Sequence, residues 1–180
     1  MNMLCLSGSL RQQSFSTAVL RSIEAHLAGR VETRNFDIRS LPHFDADIGH
    51  CAEAEDLKAA IEQADGVIIV TPEYNYSVPG VLKNAIDWAS RPSYNSVFKQ
   101  KPVFVASVSP GALGGVRAQA HLKYILNAML AEVFVCQEVV ITQAGQKFTD
   151  GELTDAPTQA FVTQSVDAFV VSLMPGSVAG

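Results

Sequence analysis

Hydroxyl side chains and an arginine are concentrated in the segment that follows the first apolar run. Residues 7–16 read Ser-Gly-Ser-Leu-Arg-Gln-Gln-Ser-Phe-Ser and lead into a helical pattern. The free N–H groups and the dipole of a helix N-terminus favour an anion, and Arg11 adds a charge-assisted donor. The sequence therefore predicts a phosphate site, to which Ser9, Ser14 and Ser16 also donate. A serine-rich turn that only caps the helix is the alternative.

Two later segments also follow apolar runs and have the composition of ligand-binding loops. Residues 71–80 read Thr-Pro-Glu-Tyr-Asn-Tyr-Ser-Val-Pro-Gly, a stiff polar and aromatic surface that suits a flat heteroaromatic ring. Residues 107–117 contain three glycines, which permit close approach of the backbone to a ligand plane. Each segment alone also fits an ordinary turn. Together, the three segments predict a site for a mononucleotide with a tricyclic ring.

Motifs for other chemistries are absent from the sequence. It has neither G-x-x-x-x-G-K-[ST] nor G-x-G-x-x-G after the first strand, which disfavours nucleoside-triphosphate and Rossmann dinucleotide sites. The three cysteines and four histidines lack metal-site spacing, so no metal ligand is predicted. No side chain is nominated as catalytic. Cys5 is predicted to be inert core, and Glu73 is expected to contact a ring through its backbone rather than its carboxylate.

Strand and helix patterns alternate about five times and are expected to position these segments. Strands are predicted near residues 3–6, 31–36, 67–70, 103–106 and 139–141, and each is followed by a helical pattern. The apolar stripe of the fourth helix consists of Leu122, Ile125, Leu126, Met129 and Leu130, and that of the last helix runs from Val162 to Leu173. This alternation predicts a doubly wound α/β fold with a parallel sheet, and ligands then bind at the carboxyl ends of the strands. Residues 1–180 are expected to form a single domain with a flexible tail at about 175–180.

Composition and charge narrow the classes of function. The chain of 180 residues is 48% hydrophobic with a net charge of −5, which is typical of a globular protein and gives no support for nucleic-acid binding. Three scattered cysteines indicate a reducing compartment. The N-terminus lacks the pattern of a signal peptide, and no apolar run approaches the ~18 residues of a membrane span. A cytoplasmic location is predicted.

Several motifs resemble those of the NADPH-dependent FMN reductase family, which includes bacterial quinone and chromate reductases. The matching residues are Gly8-Ser9-Leu10-Arg11 with Ser14, Pro72-Glu73-Tyr74-Asn75-Tyr76-Ser77 with Pro79-Gly80, Leu82-Lys83-Asn84-Ala85, Asp87-Trp88, Gly114-Gly115, Arg117 and Gln119. The order of elements agrees over nearly the whole chain, and the long middle motif is specific.

The resemblance implies a flavodoxin-like three-layer sandwich with a five-stranded parallel sheet of order 2-1-3-4-5 and non-covalent FMN. It implies that Ser9, Arg11, Ser14 and Ser16 hold the phosphate, that Pro72, Glu73, Tyr74, Asn75, Tyr76 and Ser77 lie against the isoalloxazine, and that Ser109 and Gly111 flank its other side. Hydride would pass from NADPH or NADH through the flavin to a quinone, flavin, azo compound or chromate, with the two substrates taking turns in a ping-pong reaction. A homodimer or homotetramer with the flavin near a subunit interface is expected.

Two other functions remain open at this point. A flavin-binding electron carrier or redox sensor would share the fold, although carriers usually have a Thr-rich phosphate loop and a more acidic surface. A receiver-type signalling domain would need an acidic cluster at the strand ends, where this chain has Ser7-Gly8-Ser9. Three interpretations of Arg117 remain open: it pairs with an acid such as Glu138, it joins a subunit contact, or it is solvated. Lys83 and Asp87 are expected to form a surface pair on one helix.

Overall fold

A parallel sheet forms the centre of the protein, whose computed structural model describes residues 1–174 and 176. Its strands are β1 (Asn2–Ser7), β2 (Glu32–Phe36), β3 (Gly66–Thr71), β4 (Pro102–Val108), β5 (Glu132–Val133) and β6 (Val139–Ile141). They lie in the order β2-β1-β3-β4-β5, with β6 also paired to β4. The predicted order 2-1-3-4-5 is confirmed. Two further strands, β7 (Phe148–Thr149) and β8 (Glu152–Leu153), form an antiparallel hairpin.

The fifth position of the sheet is shared by two short strands. Strand β5 pairs with the first residues of β4, Pro102 and Val103, whereas β6 pairs with its last three residues, 106–108. The sequence pattern predicted only the second piece, at 139–141. The first piece was missed because two residues are too few to show a strand's alternation.

Helices cover both faces of the sheet, as the three-layer prediction requires. They are α1 (Phe15–Leu27), α2 (Ala52–Gln63), α3 (Gly80–Ala89), α4 (Val116–Ala128) and α5 (Ala156–Ser172). Apolar side chains of α1 and α5 form a buried cluster with one face of the sheet, and those of α2, α3 and α4 form a second cluster with the other. Strand β3 is buried at all six positions because both faces are covered.

Local signals explain where the helices begin and end. The Ser14 side chain caps α1 by accepting a hydrogen bond from the Thr17 N–H at 3.4 Å, and Gly29 follows the helix with a φ of +78°. Asp155 caps α5 in the same way through the Thr158 N–H at 3.1 Å. These caps fix the ends of the two helices on one face of the sheet.

Two predictions concern ends, one of the fourth helix and one of the chain. Leu130 was expected on the stripe of the fourth helix, but α4 ends at Ala128, and Leu130 is exposed with a φ of +63°. The periodicity continued beyond the helix because Met129 still reaches the core. The predicted tail at 175–180 lies outside the described residues except for Gly176. In the part of the chain that the structure describes, no helix has the length and apolarity that a bilayer crossing requires.

Candidate active site

The three segments singled out in the sequence lie side by side at the carboxyl edge of the sheet. Strand β1 pairs with β3, and β3 pairs with β4, so that Ser7 lies beside Val70 and Thr71 beside Ser107. The loops that leave these strands therefore start as neighbours, at the edge where ligands bind in open parallel sheets. We refer to residues 8–14 as the first loop, 72–79 as the second loop and 109–115 as the third loop.

The first loop places its serines around the N-terminus of α1. Ser9, Ser14 and Ser16 are buried, whereas Arg11 is exposed. Ser9 Oγ accepts a hydrogen bond from the Arg11 N–H at 3.3 Å and lies 3.3 Å from the Tyr74 hydroxyl. The structure therefore joins the first loop to the second through one side-chain contact.

Ser16 differs from the other serines because its hydroxyl oxygen is buried without a hydrogen-bond partner among the described residues. A buried hydroxyl that makes no hydrogen bond is unfavourable and calls for an explanation. Ser16 stands in the first turn of α1, where backbone N–H groups also lack intrahelical acceptors. An anion at this turn would accept hydrogen bonds from the Ser16 hydroxyl and from these N–H groups once the first loop opens enough to expose the hydroxyl oxygen.

The second loop contains a tight two-residue turn. Tyr74 and Ser77 exchange both backbone hydrogen bonds at 3.1 Å, and the two residues between them, Asn75 and Tyr76, have φ values of +49° and +67°. Two successive positive φ values define a type I′ turn, a conformation that is unfavourable for tyrosine. Tyr76 is 68% exposed, so the turn presents an aromatic ring outward.

Glu73 holds this turn to helix α4 through its carboxylate. Oε2 accepts hydrogen bonds from the backbone N–H groups of Arg117 at 3.0 Å and Ala118 at 3.2 Å, and Oε1 lies 3.4 Å from the Arg117 guanidinium. The N-cap residue of α4 is Gly115, which has no side chain to serve as a cap. Glu73 therefore supplies the acceptors that this helix N-terminus needs.

The suggested pairing of Arg117 with Glu138 is wrong. Glu138 instead pairs with Lys123 at 2.9 Å. Lys123 lies further along α4 than Arg117, and Glu138 lies directly before β6. Arg117 faces the second loop, where its guanidinium lies 4.5 Å from the centre of the Tyr76 ring. The Lys83–Asp87 pair is confirmed, with a separation of 2.7 Å.

The third loop is tied to the neighbouring end of β6. The Ser109 N–H donates to the Ile141 carbonyl at 3.0 Å, and Ser109 Oγ accepts from the Gly111 N–H at 3.2 Å. The Gly111 carbonyl accepts from the Gln143 N–H at 3.0 Å. Ser109 and Gly111 therefore lie at the same edge as the first two loops, and some of their hydrogen-bonding groups are already paired within the protein.

Close contacts explain why two positions in these loops are occupied by glycine. A Cβ on Gly8 would lie 2.5 Å from Thr71 Oγ1 and 3.1 Å from the Thr71 Cα. A Cβ on Gly114 would lie 2.6 Å from Val140 Cγ1, and the φ of Gly114 is +58°. Both glycines bring a loop against the next strand, which is a requirement of packing rather than evidence of a ligand.

Side chains of types that can be reactive or can bind a metal also occur away from this edge. Cys5 is fully buried in β1, and burial raises the pKa of its thiol far above the ordinary value, as expected for an unreactive core cysteine. Among residues 1–174 and 176, no three His, Cys, Asp or Glu side chains are grouped as metal ligands.

Two residues at the edge were missed by sequence reasoning. An Arg39 guanidinium nitrogen donates to the Leu10 carbonyl at 2.9 Å, and His121 Nδ1 lies 2.9 Å from Ser77 Oγ. Both come from elements whose approach depends on the tertiary fold. Neither residue belongs to a spacing pattern, so no signal in the sequence pointed to them.

The parallel sheet of order 2-1-3-4-5, with polar loops after β1, β3 and β4, defines a flavodoxin-like α/β protein. Within that class, the chain belongs to the NADPH-dependent FMN reductase family, whose family model matches residues 1–146.

Individual relatives match nearly the whole chain. A quinone reductase of Escherichia coli (strain K12) is 40% identical over 176 residues, which cover 94% of this chain and 93% of that protein. An NAD(P)H-dependent FMN reductase of Pseudomonas aeruginosa is 36% identical, covering 92% of this chain and 91% of its own. The solved structure of FerB, a flavoenzyme NAD(P)H:(acceptor) oxidoreductase from Paracoccus denitrificans, has a TM-score of 0.86 at 37% identity and covers 96% of each chain.

Proposed function

We propose that this protein is an FMN-dependent NAD(P)H oxidoreductase that delivers electrons to a small acceptor such as a quinone, a flavin, an azo compound or chromate. The observation that carries the proposal is the 3.3 Å contact between Ser9 Oγ and the Tyr74 hydroxyl. It joins a phosphate-type loop at a helix N-terminus to a polar and aromatic loop beside it. A mononucleotide with a flat ring needs both surfaces within one molecule's length.

The phosphate of FMN is assigned to the first loop. The residues that would hold it are Ser9, Arg11, Ser14 and Ser16. The unpartnered buried hydroxyl of Ser16 supports this assignment, because a phosphate oxygen is the acceptor that it lacks. Arg11 is exposed beside the helix N-terminus and makes no ion pair with the described residues, so its charge is available for an anion.

The isoalloxazine is assigned to the second and third loops. The residues that would lie against it are Pro72, Glu73, Tyr74, Asn75, Tyr76 and Ser77 on one side and Ser109 and Gly111 on the other. Asn75 and Tyr76 support the assignment, because their N–H groups form no hydrogen bond within the described residues and can donate to the polar edge of a ring. Glu73 contributes through the position of the turn, since its carboxylate is engaged with α4.

When bound, FMN supplies the capacity to take a hydride from NADPH or NADH and to pass the electrons to the acceptor. The chain binds the flavin and orients it between the second and third loops. No side chain is assigned a nucleophilic or acid–base role. The Tyr74 and Tyr76 rings are the exposed aromatic side chains of the second loop. The two substrates are proposed to occupy the adjoining surface in turn, which makes the reaction ping-pong.

The experiment is a visible spectrum of the purified protein, followed by FMN titration and a panel of acceptors. We expect bound or bindable FMN and oxidation of NADPH or NADH when a quinone, an azo compound or chromate is present. Failure to bind FMN would contradict the proposal. FMN binding without consumption of either nicotinamide, with any acceptor, would instead identify an electron carrier or redox sensor.

Three broader assignments belong to the same proposal. We expect a homodimer or homotetramer, and light scattering after gel filtration measures its mass. The exposed rings of Tyr76 in the second loop and Tyr124 on α4 support a subunit contact. We also expect residues 1–180 to act as one domain in the cytoplasm, an expectation that rests on the sequence pattern and the sparse cysteines.

A further inference from the structure

We propose that Arg39, a residue outside all three loops, is a positioning residue that holds the first loop in the shape that binds the flavin phosphate. The inference rests on the proposed FMN site. Arg39 lies in a short 3₁₀ turn, Ile38–Ser40, which follows the carboxyl end of β2. Because β2 pairs with β1, this turn lies beside the loop that leaves β1.

Two contacts fix the Arg39 side chain over the first loop. Its NH2 group donates to the Leu10 carbonyl at 2.9 Å, a charge-assisted hydrogen bond between segments that are distant in sequence. The Asp37 carboxylate lies 3.6 Å from Arg39 Nε and also accepts the Arg39 backbone N–H at 3.0 Å. Asp37 therefore orients the guanidinium while it caps the turn.

The bond to Leu10 determines the direction of the next donor in the first loop. The Leu10 carbonyl and the Arg11 N–H belong to one planar peptide unit and point in nearly opposite directions. With the carbonyl held by Arg39, the N–H is directed to Ser9 Oγ, at 3.3 Å. Ser9 Oγ in turn contacts the Tyr74 hydroxyl. A continuous series of polar contacts thus runs from the end of β2 across the first loop to the second loop.

Arg39 also places a second positive charge at the first loop, in addition to Arg11. Its side chain is 58% exposed, so its attraction for an anion is screened by salt. The hydrogen bond to Leu10 is the contribution specific to Arg39. If Arg39 merely added charge, its removal would lower phosphate affinity whether or not the replacing side chain could donate to this carbonyl.

The test compares FMN with riboflavin, which has the same ring but no phosphate, by fluorescence titration of the full chain. In Arg39→Gln, we expect the Kd for FMN to rise about tenfold, the size of one charge-assisted hydrogen bond, while the Kd for riboflavin changes less than about twofold. Arg39→Lys keeps a charged donor and should restore most of the FMN affinity. Arg34→Gln, which removes an exposed arginine from β2, is the control for charge alone and should leave both Kd values within about twofold.

Thermal unfolding of the apo variants separates a loss of fold from a loss of positioning, and all three are expected to melt close to the parent. Equal weakening of FMN and riboflavin by Arg39→Gln, no weakening of either, or an equal effect from Arg34→Gln would each overturn the inference. Those outcomes leave the proposed function intact as long as the parent binds FMN. If the parent protein binds neither flavin, the proposed function itself fails.

Discussion

The backbone N–H of Arg117 donates a 3.0 Å hydrogen bond to Oε2 of Glu73. The same carboxylate oxygen accepts from the Ala118 N–H at 3.2 Å, so one side chain of the second loop satisfies two donors in the first turn of α4. Glu73 is only 14% exposed at its side chain, and its position determines where the strained Asn75–Tyr76 turn lies. The loop assigned to the flavin ring is thus anchored by an acid whose two carboxylate oxygens are engaged with α4.

Replacing Glu73 should therefore reduce both stability and flavin affinity. In Glu73→Ala, the two N–H groups lose their acceptor, and we expect the free energy of unfolding to fall by about 2 kcal/mol. Glu73→Gln retains an oxygen acceptor but loses the charge, and a fall of about 1 kcal/mol is expected. Urea unfolding of the apo protein measures both values, and FMN titration should show weaker binding in the same order.

Glu138→Ala is the matched control, since it removes an acid whose partner is Lys123 and whose side chain is half exposed. Exposed ion pairs contribute little, so a change below about 1 kcal/mol is expected. If the Glu138 and Glu73 variants unfold alike, the carboxylate of Glu73 does not anchor the turn.

The sequence predicted the sheet because its signals are local and repeated. The β-branched run at 67–70 and the helical stripes could be recognised without a partner, and the order of strands followed from the family resemblance. The interaction of Glu73 with α4 could not be predicted, because it depends on how a loop meets a helix from a distant part of the chain. Arg117 illustrates the same limit, since its charge indicated an acidic partner but not which one. Arg39 carried no signal at all.

A substitution at Gly8 tests the close contact between the first loop and β3. The new Cβ of Gly8→Ala would lie 2.5 Å from Thr71 Oγ1, and Thr71 is fully buried with its hydroxyl donating to the Pro72 carbonyl at 2.8 Å. Neither side can move freely, so we expect the free energy of unfolding to fall by about 1–3 kcal/mol. Chemical denaturation provides the measurement.

Gly145→Ala provides the comparison for Gly8, because a Cβ there meets nothing within 4 Å and its φ is not positive. That variant should be neutral or stabilised by up to about 1 kcal/mol through the reduced freedom of the unfolded chain. A Gly8 variant as stable as the Gly145 variant would be inconsistent with the close packing of Gly8 against Thr71.

Replacement of Ser14 and of Ser16 by alanine should affect the stability of the apo protein differently. Ser14→Ala removes the cap of α1 and should lower the free energy of unfolding by about 1 kcal/mol. Ser16→Ala removes a buried hydroxyl that has no partner among residues 1–174 and 176, so stability should be unchanged or higher by roughly 1 kcal/mol. Thermal unfolding of flavin-free samples compares the two.

FMN titration of the same variants tests whether the Ser16 hydroxyl binds the phosphate. If the hydroxyl of Ser16 is kept for the phosphate, Ser16→Ala binds FMN more weakly although its apo form is no less stable. A variant that is less stable without flavin would show that the Ser16 hydroxyl has another partner, and one that binds FMN as tightly as the parent would show that this hydroxyl does not bind the phosphate.

Arg11→Ala tests the phosphate assignment with the least disturbance to the fold. The Arg11 side chain is exposed and forms no ion pair with the described residues, so the melting temperature of the apo protein should stay the same. Loss of a charge-assisted bond to a phosphate should raise the Kd for FMN by about 10- to 100-fold and leave riboflavin binding nearly unchanged. Because riboflavin has the same ring, a parallel loss of both ligands would locate Arg11 at the ring instead, and unchanged FMN affinity would remove Arg11 from the site.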